Sequence, residues 1–319
     1  MNILSKRSLP LALQEAVEVI LDGESRSLRG SAADLSSAYG HAASSAEISV
    51  DAYLAARMPA TYAAITRVFE LVGEVAGDFE PASLLDVGAG PGTASWAAQE
   101  HWPTLQNIIM VERDSRFAAM ASALAKVSHG AALRGAKVAL SDLRALEAKA
   151  DLVVAAYVFA EQAVAHAGAL AERLWAACDG VLVIVEPGTP EGFQRIREAR
   201  QALLKAGASM LAPCPHEGAC PIAGEDWCHF KTRLPRSRLH MRAKGAVVPF
   251  EDESFSFVAV AREGRILPEA RILAPPVVNK VSATLKLCTH EGIRGAVVAS
   301  RSKAEYKRAR KKGWGDFWP

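Results

Sequence analysis

The residues best placed to do chemistry begin with the stretch 84–93, LLDVGAGPGT, where Gly88, Gly90 and Gly92 follow a short apolar run at alternate positions. Glycines there let a chain turn sharply off a strand and lie close to a ligand, because no Cβ intervenes. Asp86 stands two places before the first glycine, and Glu112 stands 20 residues beyond the last, closing the apolar run 108–111. A carboxylate at the end of a second strand can accept hydrogen bonds from both hydroxyls of a ribose. The layout fits a nucleotide-like cofactor held at the end of the first strand of a Rossmann-like sheet, with a plain structural turn as the alternative.

The spacing is G-x-G-x-G, not the G-x-G-x-x-G of dinucleotide sites. It resembles motif I of class I S-adenosylmethionine-dependent methyltransferases, which implies S-adenosylmethionine as the cofactor. On the same resemblance Asp142, after the strand-like run Lys137–Leu140, is a candidate for the adenine amine, with an exposed turn residue as the alternative. Nothing after the fourth strand-like run matches the Asn/Asp-Pro-Pro-Tyr/Phe motif with which amine-directed methyltransferases hold a base nitrogen. No catalytic residue is therefore named.

A second constellation lies in 212–230, APCPHEGACPIAGEDWCHF, with Cys214, Cys220 and Cys228 spaced C-x5-C-x7-C. Three of the five cysteines fall within 15 residues, among Pro and Gly, which describes an irregular loop wrapped around something. In a reducing compartment metal ligation outranks a disulfide framework. The spacing is not the C-x2-C of a zinc ribbon. Separated thiolates suit a 4Fe-4S cluster, which offers four iron corners, with zinc as the alternative. A fourth ligand is needed: Cys288 in LKLCTHEG is preferred, and Cys178, His216, His229 and His240 remain open.

The elements that must position these groups read as follows. Residues 1–80 are helical, with stretches at 9–21 and 31–39 and a third after Ser49 or Asp51 that Pro59 kinks or divides. In that third stretch Tyr53, Arg57, Thr61 and Tyr62 are either ordinary packing or a helical lid over cofactor or substrate. Residues 81–211 form the Rossmann-like core, whose fourth and fifth strands, 151–158 and 181–185, end near Glu161 and Glu186. Residues 212–244 make the cysteine-rich loop and a basic stretch, 245–300 a β-rich region, and 301–319 a basic, aromatic tail. The fold class is thus α/β: a class I methyltransferase sheet with N-terminal helices, a cysteine-rich metal-binding insert and a small β-rich C-terminal region.

Half of the 319 residues are hydrophobic and 23% are charged, as in a soluble globular protein. No apolar run approaches the roughly 20 residues of a membrane span. The N-terminus meets Glu15 and Glu18 at once and has no small-residue cleavage site, so a cytoplasmic protein that avoids membranes is expected, with organelle import through its basic, helical start as the alternative. A monomer is expected. Residues 1–200 hold 17 Lys and Arg against 24 Asp and Glu, a net −7, while 201–319 hold 20 against 11, a net +9. That asymmetry points to a polyanionic partner met by the C-terminal third, ordinary solvated charge being the alternative.

Five segments together (LLDVGAGPGT, VEPGTPEGF, APCPH…CP…WCHF, the strand EDESFSFVA and the closing YKRARKKGWGDFWP) resemble the methyltransferase-like protein 17 family, mitochondrial small-ribosomal-subunit assembly proteins and their bacterial relatives. The resemblance covers 53–319. It implies a class I methyltransferase fold that binds S-adenosylmethionine, a 4Fe-4S cluster on Cys214, Cys220, Cys228 and Cys288, and association with small-subunit rRNA during ribosome maturation. Two alternatives accompany it: an active rRNA methyltransferase with a structural cluster, and a redox- or iron-responsive regulator of ribosome assembly.

Overall fold

A computed structural model of the chain describes residues 7–21, 49–141 and 148–319. Strands β1 (Ser83–Val87), β2 (Asn107–Glu112), β3 (Lys137–Leu140), β4 (Ala150–Ala156) and β5 (Cys178–Pro187) are parallel, in the order β3-β2-β1-β4-β5. The order reverses between β1 and β4, which opens a crevice at their carboxyl ends. The strand β8 (Phe250–Ala261) runs antiparallel beside β5, and β6 (Ser209–Ala212) runs antiparallel beside β8. Near its start β8 also pairs with β7 (Phe230–Pro235), from Phe230 opposite Phe255 to Pro235 opposite Phe250.

Successive residues of these strands feed two layers, as the two-residue period of a strand requires. Leu84, Leu152, Val154, Val181 and Val183 pack under α1 (Leu11–Leu21), α2 (Met58–Gly73), α3 (Thr93–His101) and α4 (Ser115–Ala125). Leu85, Val87, Val153, Leu182 and Ile184 face the other way, onto α5 (Ala167–Ala176) and α6 (Pro190–Lys205). The helix α1 buries Leu13, Val17 and Leu21, four apart on one face. Before α2, Ser49 caps a turn at Val50–Ala52 that runs into a π-helical segment, Tyr53–Arg57. Pro59 then sits in the first turn of α2, where its missing N–H costs nothing, so it opens that helix instead of kinking it.

A second sheet is built from β9 (Ala270–Ile272), β10 (Val277–Val278), β11 (Ser282–Thr289), β12 (Gly292–Ala299) and β13 (Phe317–Trp318). Its small core is Ile272, Ala283, Leu285, Leu287, Val298 and Trp318, with Ala309 from α8 (Lys303–Ala309). Between β7 and β8 lies the short helix α7 (Arg238–Lys244), capped by Ser237.

Three expectations change. The stretch 250–261 belongs to the main sheet, not to an appended β region: nearly every residue from Phe255 on is buried, so both faces of the strand are covered. The tail is no mere extension, since Phe317 and Trp318 pair with Arg271 and Ala270 of β9. Within the basic stretch 212–244, β7 likewise joins the main sheet. The expected helix at 31–39 and the candidate Asp142 lie outside the described residues. Among the described residues no helix is long and apolar enough to cross a membrane.

Candidate functional site

The chain leaves β1 into the glycine loop with Gly88, Gly90 and Gly92 all at positive φ. Two of them differ in what surrounds them. A Cβ on Gly88 would stand 2.4 Å from Cγ2 of Val158, so this glycine exists for close packing against the end of β4. At Gly90, φ +53°, nothing lies within 4 Å of where a Cβ would be. That open side is where a ligand can approach the backbone.

Asp86 and Glu112 shape the loop from below and beside it. The Asp86 carboxylate, 1% exposed, accepts from the Ser95 backbone N–H at 3.0 Å and from its hydroxyl at 2.7 Å. Burial pushes its pKa up to about 6 against those bonds. In this structure Asp86 therefore ties β1 to α3. Glu112 accepts from the Gly90 N–H at 2.8 Å through one oxygen and from the Arg113 and Asp114 N–H groups at 2.8 Å through the other. It brings the carboxylate to the rim of the loop, at its open glycine.

The carboxyl ends of β4 and β5 complete this edge. After β4 comes Tyr157, at φ +63° a non-glycine residue in the left-handed region, which is uncommon and gathers at functional sites. Its hydroxyl donates to Glu253 of β8 at 3.0 Å, and Glu253 also receives both guanidinium nitrogens of Arg57, at 3.0 and 3.3 Å. The buried trio clamps the π-helical turn over the end of β4, and Tyr53 of that turn packs edge-on against Phe117 at 5.4 Å. After β5, Glu186 is 0% exposed; one oxygen accepts from Phe159 N–H at 2.9 Å and the other has no hydrogen-bond partner among the described residues. Burial pushes its pKa up to about 8, partly opposed by Arg195.

The cysteines meet elsewhere, between α6, β8 and the second sheet. Cys214, Cys220, Cys228 and Cys288 line one pocket with apolar walls from Phe193, Ile196, Ile222, Phe257 and Leu273. Cys178 is not among them; it is buried at the start of β5. Burial raises the Cys228 thiol well above its ordinary range, and the other three thiols raise it further. Burial likewise raises Cys214, and it carries Cys288 up to about 12. Arg200 reaches the pocket from α6, donating to the Cys214 sulfur at 3.3 Å and to the carbonyls of His216 and Gly218 at 2.9 and 2.8 Å. The His216 ring stands 3.6 Å from the Cys288 sulfur.

Thiols are donors that an iron–sulfur cluster or a zinc ion could take. Four thiols face a single apolar pocket with a guanidinium beside one of them. Among the described residues no group of three or more His, Cys, Asp or Glu is placed to hold a metal ion.

Sequence reasoning missed Arg200, Arg271 and the clamp at Glu253. The Arg271 guanidinium, 1% exposed, donates to the carbonyls of Pro213 and Gly315 at 2.9 Å each and approaches Glu74 at 3.5 Å. Its partners are 44, 58 and 197 residues away in the chain, so no local pattern announces it.

Comparison with known proteins agrees on one family. The model described as mitochondrial small ribosomal subunit Rsm22 matches residues 47–319. The human protein named ribosome assembly protein METTL17, mitochondrial, is 28% identical over 291 residues, which is 84% of this chain and 62% of that protein. Rsm22-cox11 tandem protein 2, mitochondrial, of Schizosaccharomyces pombe is 26% identical over 334 residues, again 84% of this chain but 43% of that protein. The chain thus spans about half the length of these relatives. Among solved structures, the S-adenosylmethionine-bound magnesium protoporphyrin IX methyltransferase of Synechocystis PCC 6803 has a TM-score of 0.43 at 15% identity, covering 64% of this chain and 80% of its own. The ribosomal protein L11 methylase of Lactobacillus delbrueckii subsp. bulgaricus has a TM-score of 0.38 at 14% identity, covering 62% and 77%. At these scores the two likenesses add nothing to what the strand order already says.

The expectation of a cytoplasmic protein is corrected here. The relatives are mitochondrial proteins, which points to the mitochondrion. The features behind that expectation, acidic residues at Glu15 and Glu18 without a small-residue cleavage site and no long apolar run, do not separate the cytoplasm from the mitochondrion.

Proposed function

This chain belongs to the Rsm22 family, and on that premise we propose that it is an S-adenosylmethionine-binding assembly factor that docks on small-subunit rRNA. One observation carries the cofactor half: Gly90 has an open side and its N–H lies 2.8 Å from Glu112, so backbone and carboxylate meet at one ligand-facing point. Glu112 would take the ribose hydroxyls. Gly88 and Gly92 would hold the loop's path, and Asp86 would anchor the loop through Ser95. Asp142 remains a candidate for the adenine amine. When bound, S-adenosylmethionine supplies an electrophilic methyl group on sulfonium.

Cys214, Cys220, Cys228 and Cys288 would hold a 4Fe-4S cluster, which supplies a rigid cross-link between the 212–230 loop and β11. Arg200 offsets negative charge at Cys214. The cross-link supports a basic C-terminal surface suited to RNA phosphates, consistent with the +9 balance of 201–319.

We read the protein as a docking factor before an enzyme. The position after β4, where a base-holding motif would stand, is Tyr157-Val158-Phe159-Ala160, with the Tyr157 hydroxyl already bound to Glu253. The deciding experiment is mass spectrometry of modified nucleosides in small-subunit rRNA with and without the protein. An unchanged profile is expected. A methylated nucleoside that vanishes, and returns with wild-type protein but not with Gly90→Val, would establish the active methyltransferase instead.

A further inference from the structure

Three aromatic side chains at the molecule's surface serve neither the glycine loop nor the thiol pocket. Trp227 and His229 stack with centroids 5.0 Å apart and planes 18° from parallel, and Trp314 meets His229 edge-on at 4.7 Å. All three are partly exposed, although Trp314 also packs one side against the main core with its indole nitrogen buried. Trp227 is fixed in place: its indole N–H donates to the Gly188 carbonyl at 2.9 Å. Gly188 follows the carboxyl end of β5, so the row begins at the same edge of the sheet as the glycine loop, two strands from β1.

Cations border the row. The Lys231 ammonium lies 5.6 Å from the Trp314 ring centre, and that of Lys312 lies 3.9 Å from Phe317. Immediately before Trp314, exposed Lys307, Arg308, Arg310 and Lys311 follow along α8 and its end. The nearby acids are largely engaged: Asp226 pairs with Lys286 at 2.6 Å, and Asp316 with Arg67. Rings meant only for packing would be covered, and rings meant for a protein partner would more often be ringed by apolar groups than by lysines. Aromatic faces with flanking cations are what a single-stranded nucleic acid uses, its bases stacking while its phosphates meet the charges.

We propose that Trp227, His229 and Trp314 form a stacking platform for the unpaired bases of single-stranded RNA, with Lys231 and the basic end of α8 tracking its backbone. This rests on the reading of the protein as an rRNA-docking factor and gives that partner a form: an unpaired loop or end, not a duplex. Cys228, which lines the thiol pocket, lies between Trp227 and His229 in the chain.

The test uses the full chain, a single-stranded oligoribonucleotide from small-subunit rRNA and the duplex of the same sequence, with binding followed by fluorescence anisotropy at several salt concentrations. Wild type should prefer the single strand. Trp227→Ala and Trp314→Ala should each weaken that binding roughly tenfold while leaving the salt dependence and the duplex affinity unchanged. Trp227→Phe, which keeps a stacking face, should retain most of it and guards against simple misfolding. Lys231→Ala should instead flatten the salt dependence. If the tryptophan variants bind as wild type does, the platform is wrong while the docking reading stands. If wild type binds neither RNA, both fall. Variants that keep RNA binding but no longer sediment with small subunits would assign the rings to a protein partner and overturn the proposal.

Discussion

Arg271 stands directly across the β9–β11 ladder from Cys288, and its guanidinium reaches back to the carbonyl of Pro213, the residue before Cys214. One buried cation thus joins the two thiol-bearing segments, the 212–230 loop and β11, and, through Gly315, the aromatic tail. Burial lowers its pKa, with Glu74 opposing.

The thiol pocket predicts a measurable iron content. Cys220→Ser or Cys228→Ser should lose the iron and the visible charge-transfer absorption of anaerobically purified protein, and rRNA binding with them. A variant free of iron that binds rRNA normally would refute the coupling between pocket and surface. Arg200→Gln should keep the iron but lower the cluster's reduction potential, because a positive charge and an N–H donor leave the Cys214 sulfur. A redox titration followed by electron paramagnetic resonance reads that shift.

Gly88 and Gly90 should fail in different ways. Placing any side chain at positive φ costs about 1–2 kcal/mol, so both alanine variants lose some stability. Gly88→Ala also drives its Cβ into Val158 and should lower the melting temperature more. Gly90→Ala meets no protein atom and should instead weaken S-adenosylmethionine binding by calorimetry. Equal effects of the two on both readouts would remove the distinction between packing glycine and ligand-facing glycine.

The clamp at Glu253 predicts non-additivity. Glu253→Gln removes the carboxylate that receives both guanidinium nitrogens of buried Arg57, a loss of roughly 3–5 kcal/mol in comparable buried pairs. The double variant Arg57→Met, Glu253→Leu should recover much of it, since apolar replacements of both partners carry no buried charge. Chemical denaturation of the two single variants and the double variant checks this as a double-mutant cycle.

Stability should fall as pH rises from about 4.5 towards 8, in the part set by Glu186. Its folded pKa is raised to about 8, so the folded state keeps the proton that the unfolded chain releases near 4.5. The favourable contribution is complete below the unfolded pKa and gone above the folded one. Asp86, raised to about 6, acts with the same sign over its narrower window. Glu186→Gln, which imitates the neutral acid, should therefore be more stable than wild type at pH 8.5 and no better at pH 4.5. Denaturation midpoints across that range would show it; an identical pH profile in the variant would place the titration elsewhere.

Much of the main sheet was legible from local pattern. β3 was read with its observed ends, Lys137–Leu140, and the remaining parallel strands were read within a few residues of theirs, because strands buried on both faces are short apolar runs. The stretch 250–261 was misplaced for a related reason. By position FSFVAVA falls in the β-rich region 245–300, but it is covered on both sides as β8, and only its neighbours β5, β6 and β7 show that. Lys231 and Trp314, 83 residues apart, met only on folding.

By itself the sequence determined the glycine loop, the acidic residue at the end of β2, and the three clustered cysteines of the 212–230 loop. In each case the chemistry depends on residue type and short spacing, which the chain carries unfolded. Only the tertiary structure decided that Asp86 is spent on Ser95, that Arg57, Tyr157 and Glu253 form one buried clamp, and that Cys288 reaches the loop cysteines beside Arg200 and Arg271. Those pairings span up to 196 residues and are made by burial and charge, which act through space and leave no spacing to read.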